Sequence, residues 1–133
     1  MFELKIINHF SAAHQLEMVS KKCENLHGHN WKVEVFVIGE SLNQSGVLMD
    51  FGELKKHVNE IMDTLDHKFL NDLEYFNKDM PPSSENIVLY ITQRLQGLID
   101  HIPNAKVSRV SIWESHNSCA TYWNIPIMSH QVS

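Results

Sequence analysis

An α+β domain, with two helices on one face of an antiparallel sheet in the order β-β-α-α-β-β, is the fold class this sequence predicts. Three observations carry it. Residues 29 to 39 set Trp31, Val33, Val35 and Val37 at alternate positions, the period of a strand. Phe51, Leu54, Val58, Ile61 and Leu65 recur at steps of three and four, which is one face of a helix. Val107 to Glu114 returns to a period of two.

Each element follows from its own residues. Phe2 to about Ala13 mixes β-branched, aromatic and polar residues and reads as the first strand. The strand over 29–39 is apolar on both faces in its second half, so helices are expected on one face and another subunit on the other. Ser41 to Gly46 is a turn-rich connection. Asp50 followed by Glu53 fits a capping box that starts the first helix, and Asp66-His67 lies at its end. Residues 71 to 82 read as loop, closing on Pro81-Pro82. Ser83 or Ser84 can cap a second helix with Ile87, Ile91, Leu95 and Leu98 on its stripe; Gly97 leaves its end open. In the third strand Val107, Arg109, Ser111 and Trp113 alternate with Ser108, Val110, Ile112 and Glu114. A turn at His116-Asn117-Ser118 leads to a fourth strand over 121–125, and the tail after Pro126 is expected to be loose.

At 133 residues the chain suits one domain, spanning 1–133, with a real core. A formal charge of -5 disfavours nucleic acid as a partner, because phosphate backbones require a basic surface. Cys23 and Cys119 make no disulfide framework. Met1 to Ile7 carries charges among its apolar residues, and no apolar run reaches membrane length. A reduced, cytoplasmic chain without a membrane partner is expected.

Chemistry concentrates in Cys23-x-x-x-His27-Gly28-His29. On a strand, His27 and His29 point to one face, and His14, at the end of a pairing strand, can supply a third imidazole. Three imidazoles hold zinc with its fourth position open, as a catalytic site requires, although iron or nickel fits the same nitrogens. Gly28 suggests a close backbone approach behind the site, or simply a turn. The plain alternative is scattered surface histidines, since the chain has nine.

Cys23 reads as a fourth ligand, a small buried residue, or a thiolate acidified by a nearby cation and by Lys21 or Lys22. Asp66 beside His67 reads as an acid-base relay, or as a histidine complementing a helix C-terminus. Glu114 reads as a structural ion pair with Arg109 or another base, or as a carboxylate that accepts the paired N–H groups of an aminopyrimidinone. Glu85 has the same readings and a further one as a helix N-terminal acid.

In order along the chain stand Phe10-Ser11-Ala12-Ala13-His14, Cys23-x-x-x-His27-Gly28-His29, Gly46-x-x-Met49-Asp50-Phe51, Leu65-Asp66-His67-x-x-Leu70-Asn71, Pro82-Ser83-Ser84-Glu85-Asn86 and Glu114. This set resembles the 6-pyruvoyl-tetrahydropterin synthase family over about residues 2 to 123. The spacing of Cys23 to His27 is most similar to its 6-carboxy-5,6,7,8-tetrahydropterin synthase branch of queuosine biosynthesis. The resemblance implies the tunnelling fold, an oligomeric barrel (trimer or hexamer) with interfacial active sites. It implies Zn2+ on His14, His27 and His29. It implies Cys23 as catalytic thiol, with Asp66 and His67 of a neighbouring subunit as acid-base partners. It implies Glu114, Ser84 and Glu85 as substrate-binding residues. The implied substrate is 7,8-dihydroneopterin triphosphate, with Lys21, Lys22 and Lys68 as candidates for its phosphates. Rival readings are a 6-pyruvoyl-tetrahydropterin synthase that stops at triphosphate elimination, a non-catalytic zinc-stabilised oligomerisation module, and a zinc hydrolase.

Overall fold

Two long antiparallel strands dominate the molecule, because the period-two segments continue further than their strongest alternation. In this computed structural model residues 1–17 and 26–126 are described, His27 through its backbone alone. Strand β1 is Phe2–His14 and β2 is His27–Gly39. They pair residue for residue, from Phe2 opposite Gly39 to His14 opposite His27. Helix α1 is Phe51–Leu65 and is followed by a two-residue strand, β3 (Lys68–Phe69). A 3-10 turn at Leu70–Asp72 leads on to helix α2, Ser84–Ile99. Strands β4 (Lys106–Ser115) and β5 (Ser118–Trp123) complete a five-stranded sheet in the order β3-β1-β2-β4-β5.

The expected all-antiparallel sheet is corrected here: β3 runs parallel to β1 at Ala12 and Ala13, so the sheet is mixed. Both helices do pack on the sheet, and the core lies between the layers. Ile6, Phe10 and Ala12 of β1 and Trp31, Val33, Val35 and Val37 of β2 face it. α1 contributes Leu54, Val58, Ile61, Met62 and Leu65. Phe51, expected on that stripe, is exposed, since it opens the helix before the apolar face has turned onto the sheet. α2 contributes Ile87, Val88, Tyr90, Ile91, Leu95 and Ile99, and runs through Gly97 without interruption. Each such aliphatic side chain removed from water contributes roughly 1.5–3 kcal/mol.

The caps are half as expected. Asp50 accepts from the Gly52 N–H at 2.9 Å, but Glu53 turns elsewhere rather than back to Asp50. Ser83, not Ser84, caps α2, accepting from the Asn86 N–H at 3.1 Å. Gly39 ends β2 where no side chain fits, because a Cβ would run into the Leu48 side chain and the Asn104 carbonyl. Gly46 closes the turn after β2 with φ +79°, in the left-handed region.

The face of the sheet opposite the helices is less open than the sequence suggested. Phe36 is covered by this chain's own Arg109, whose guanidinium lies 3.9 Å from the ring centroid. Glu34 there is paired with Lys5 at 2.7 Å and accepts from Trp113 Nε1 at 2.6 Å. Those two donors hold the Glu34 carboxyl below its usual range, against a partly opposing effect of burial. The β4 alternation is broken by a bulge. Val37 pairs with Val107 and Phe36 with Arg109, leaving Ser108 as an extra residue. Val107, Val110 and Ile112 therefore all reach the core, although the simple alternation puts Val107 on the opposite face from the other two. No helix among the described residues is long and apolar enough to cross a membrane.

Candidate functional site

The ends of β1 and β2 carry the histidines. The register sets Ala12 opposite His29 and His14 opposite His27, so His14 and His29 share the face that Phe10 and Trp31 occupy further along. The Trp31 indole forms their floor. It meets the His14 ring edge-on at 5.1 Å and the His29 ring at 5.3 Å, and donates Nε1–H to the Ala12 carbonyl at 3.3 Å. Phe10 stacks on the same indole at 5.8 Å. The buried aromatic floor fixes both imidazoles.

His14 is almost wholly buried. Its Nδ1 lies 2.8 Å from the Pro82 carbonyl. A carbonyl only accepts, so Nδ1 carries the proton, and in the neutral ring Nε2 carries the lone pair. That nitrogen faces Glu114, with Oε1 at 4.0 Å. His29 Nε2 lies 3.0 Å from the same oxygen. The other oxygen, Oε2, accepts from Ser84 Oγ–H at 3.2 Å. One donor atom each from His14, His29 and Glu114 lies within 4.8 Å of the others. Two imidazole nitrogens and a carboxylate, one ring oriented through its far nitrogen by a backbone carbonyl, fit a metal ion's needs. This group could hold a metal ion.

A second cluster hangs from the same strand. Asp66 ends α1; its Oδ1 accepts from the Ser11 N–H at 2.8 Å and its Oδ2 lies 2.9 Å from His67 Nδ1. The His67 N–H donates to the Ser11 carbonyl at 2.6 Å, and the residue adopts φ 57°. A non-glycine residue in that region is uncommon and is held here by two hydrogen bonds with Ser11, whose N–H donates to the Asp66 carboxylate and whose carbonyl accepts from the His67 N–H. The Ser11 N–H, more than the neighbouring imidazole, holds the Asp66 carboxyl below its usual range. The His67 ring is exposed. His29, His67, Gly28 and Lys68 border one shallow depression.

The short motifs acquire physical meaning in this frame. Leu65 and Leu70 are fully buried and anchor the connection after α1. Asn71 brackets Gln15, accepting from its N–H at 2.9 Å and donating to its carbonyl at 2.8 Å. Asn86 Nδ2 donates to the Pro81 carbonyl at 2.7 Å, which steadies the loop whose next residue holds His14. These bonds fix the end of β1.

Several expected residues meet and others do not. His14, His29, Glu114 and Ser84 converge, and Asp66 touches His67. Glu85 is exposed in the first turn of α2, where an acid suits the helix dipole. The suggested Glu114–Arg109 pair is not formed, because the two stand an odd number of residues apart on β4 and so face opposite sides of the sheet; Arg109 lies near Glu3 at 3.9 Å. Gly28 makes no close approach: a Cβ there would meet the Ala12 carbonyl at an ordinary 4.0 Å. Cys23, Lys21 and Lys22, the His27 side chain and the tail from 127 onward lie outside the described residues. Cys119 is an exposed thiol on β5. Ser11 and Pro82 act through backbone atoms, which no side-chain pattern announces. Trp31 read only as a core residue.

Comparison with known proteins finds relatives over most of the chain. The model of the family described as 6-pyruvoyl tetrahydropterin synthase matches residues 3–125. The 6-carboxy-5,6,7,8-tetrahydropterin synthase of Bacillus subtilis is 34% identical over 126 residues, 91% of this chain and 84% of that one. The human 6-pyruvoyl tetrahydrobiopterin synthase is 39% identical over 105 residues, 76% of this chain and 70% of that one. The structure of the Caenorhabditis elegans 6-pyruvoyl tetrahydropterin synthase superposes with a TM-score of 0.80 at 29% identity, covering 93% of this chain and 96% of that one.

Proposed function

The chain belongs to the 6-pyruvoyl tetrahydropterin synthase family, and on that premise we propose that it is a zinc-dependent lyase. It converts 7,8-dihydroneopterin triphosphate and one water to 6-carboxy-5,6,7,8-tetrahydropterin, acetaldehyde and triphosphate, in queuosine biosynthesis. It works as a single domain assembled into a homo-oligomeric barrel, a trimer or hexamer, with sites at subunit interfaces. The observation that carries this reading is that two clusters hang from the last four residues of β1. Ser11 holds Asp66 and His67 through its backbone, while His14 joins His29 and Glu114.

His14, His27 and His29 would hold the zinc. When bound, it supplies Lewis acidity toward the substrate's side-chain hydroxyls. Glu114, held by Ser84, accepts the N–H groups of the pterin ring, with Glu85 beside them on the same helix end. Cys23, as thiolate, takes the carbon-bound proton next to the ring. His67 returns a proton: Asp66 accepts from its Nδ1 and so leaves Nε2 to exchange with substrate. The redox change is internal to the substrate, so no nicotinamide or flavin is required.

The human relative favours a second reading, in which the same site stops after triphosphate elimination and releases 6-pyruvoyl-tetrahydropterin. Product analysis of the zinc-loaded chain with 7,8-dihydroneopterin triphosphate separates the two. Acetaldehyde supports the lyase; a pyruvoyl pterin without acetaldehyde supports the alternative. Absence of any turnover sinks both and leaves a non-catalytic module. Cys23→Ala is expected to abolish turnover while zinc content and assembly persist.

A further inference from the structure

A second set of nitrogen and oxygen donors lies away from β1, where the start of α1 meets the end of α2. Glu53 stands in the first turn of α1, His57 stands one turn further, and His101 follows Asp100, the C-cap of α2. Glu53 Oε2 lies 3.7 Å from His57 Nε2 and 3.6 Å from His101 Nε2. These separations exceed hydrogen-bond length. They approach the edge of a tetrahedron, roughly 3.3–3.5 Å, that donors at about 2.0–2.2 Å from a metal ion define.

The atoms involved lack other employment. Among the described residues, Glu53 Oε2 and both ring nitrogens of His57 are buried without a hydrogen-bond partner. Buried polar atoms in a folded chain are nearly always satisfied, and an ion is one of the groups that satisfies them. The His57 side chain is only 16% exposed, so its position is set by packing, while that of His101 is 66% exposed. The set is open on one edge. Among the described residues, only His14, His29 and Glu114 have all donors within 4.8 Å, so the His57 and His101 nitrogens stand farther apart. Closing that edge would take a change of the exposed His101 side-chain rotamer.

We propose that Glu53, His57 and His101 form a second metal site, which takes a divalent first-row transition cation such as Zn2+ or Ni2+. Two imidazoles and one carboxylate select such borderline ions over Mg2+ or Ca2+, which prefer all-oxygen shells. Bound there, the ion ties the first turn of α1 to the end of α2. The site is independent of the catalytic reading.

The test is a Zn2+ titration of the chelator-stripped full chain against a competing chromophoric chelator, with metal counted per chain. Two equivalents are expected. His57→Ala and His101→Ala should each remove one and leave the other, whereas His29→Ala should remove the other. Glu53→Gln, which keeps shape and drops charge, should weaken the second equivalent roughly tenfold or more. The second equivalent should raise the melting temperature of the wild type and not that of His101→Ala, whose exposed position makes misfolding a poor explanation. Wild-type stoichiometry in both His57→Ala and His101→Ala overturns the proposal. So does a single wild-type equivalent that His29→Ala abolishes.

Discussion

Asp66→Asn isolates what the carboxylate does for His67. In the native chain one oxygen accepts from the Ser11 N–H at 2.8 Å and the other faces His67 Nδ1 at 2.9 Å. The introduced amide keeps its carbonyl on Ser11 and presents its NH2 to the imidazole. Nδ1 must then carry the lone pair, and the proton moves to Nε2. The imidazolium that returns a proton also loses its anionic neighbour, since its Nδ1–H now points at another donor. Loss of a correctly oriented acid-base group costs about 10²–10⁴-fold in rate, so a fall in kcat of that order is expected. Nitrogen NMR of the His67 ring should show the tautomer reversed, with the melting temperature only modestly below wild type at neutral pH, because the Ser11 bond survives without the charge. Asp66→Ala, which loses both bonds, should be the less stable variant. The carboxyl sits below its ordinary range in the folded chain. Its ionised form therefore stabilises the fold fully above the unfolded value of about 3.9, and that contribution is lost as pH falls through the lower folded value. Wild type should exceed Asp66→Asn in stability above that acidic window, and the two should converge as pH falls through it. An unchanged kcat together with an unchanged tautomer would refute the reasoning. So would a stability loss in Asp66→Asn equal to that of Asp66→Ala, for it would make the carboxylate a structural hook alone.

Three further outcomes follow from the geometry. Glu114→Gln separates ligand from anchor: if the carboxylate binds pterin, zinc content is kept and KM rises; if it binds metal, zinc content falls, read by elemental analysis. The proposed function expects the first. Ile91→Ala, at a fully buried position on α2, should cost about 2–5 kcal/mol in denaturant unfolding; a loss below ~1 kcal/mol would mean the helix packs on the sheet differently. Gly39→Ala should destabilise more than an exposed Gly97→Ala, because only the former meets backbone and a buried leucine; equal melting temperatures would contradict the close approach.

Local periodicity made most of the fold legible. Helix faces and long strands repeat their pattern over many residues, so Leu54, Val58, Ile61 and Leu65 identified their own helix. β3 was not legible. It has two residues, and what makes it a strand is pairing with Ala12 and Ala13, a tertiary fact without local signal. His14 and His29 were legible together because alternation along each strand and the pairing register bring them to one face. Pro82 and Ser11 were not, because they contribute carbonyl and amide groups that every residue possesses. The contact between Asp66 and His67 was legible only as a possibility. Adjacent residues in most backbones point apart, and here the turn at φ 57° brings the two side chains together.

The bulge at Ser108 decides whether Glu114 belongs to the site at all. Shifting a strand by one residue exchanges its faces. Counting by twos from the core residue Val107 puts Arg109, Ser111 and Trp113 inside and Glu114 outside. Inserting Ser108 against the Phe36–Val37 step reverses this from Arg109 onward. Arg109 then lies on Phe36, Trp113 reaches Glu34, and Glu114 arrives beside His29 and Ser84. The extra residue is itself secured: the Ser108 side chain is buried and its carbonyl accepts from the Asn124 N–H at 2.8 Å. The same step that completes the core at Val110 and Ile112 therefore aims the carboxylate. Core packing and site geometry are coupled through this backbone irregularity, and a second one between Trp113 and Ser115 leaves Glu114 unpaired against β5. Deleting Ser108 removes the extra residue and leaves the pairing of β4 with β2 intact: Val107 is then followed directly by Arg109, so Val107, Val110, Ile112 and Glu114 still share one face. The deletion should therefore be tolerated far better than a one-residue insertion after Arg109, which reverses every face beyond it, and comparable melting temperatures for the two would show that the register of β4 does not govern the site.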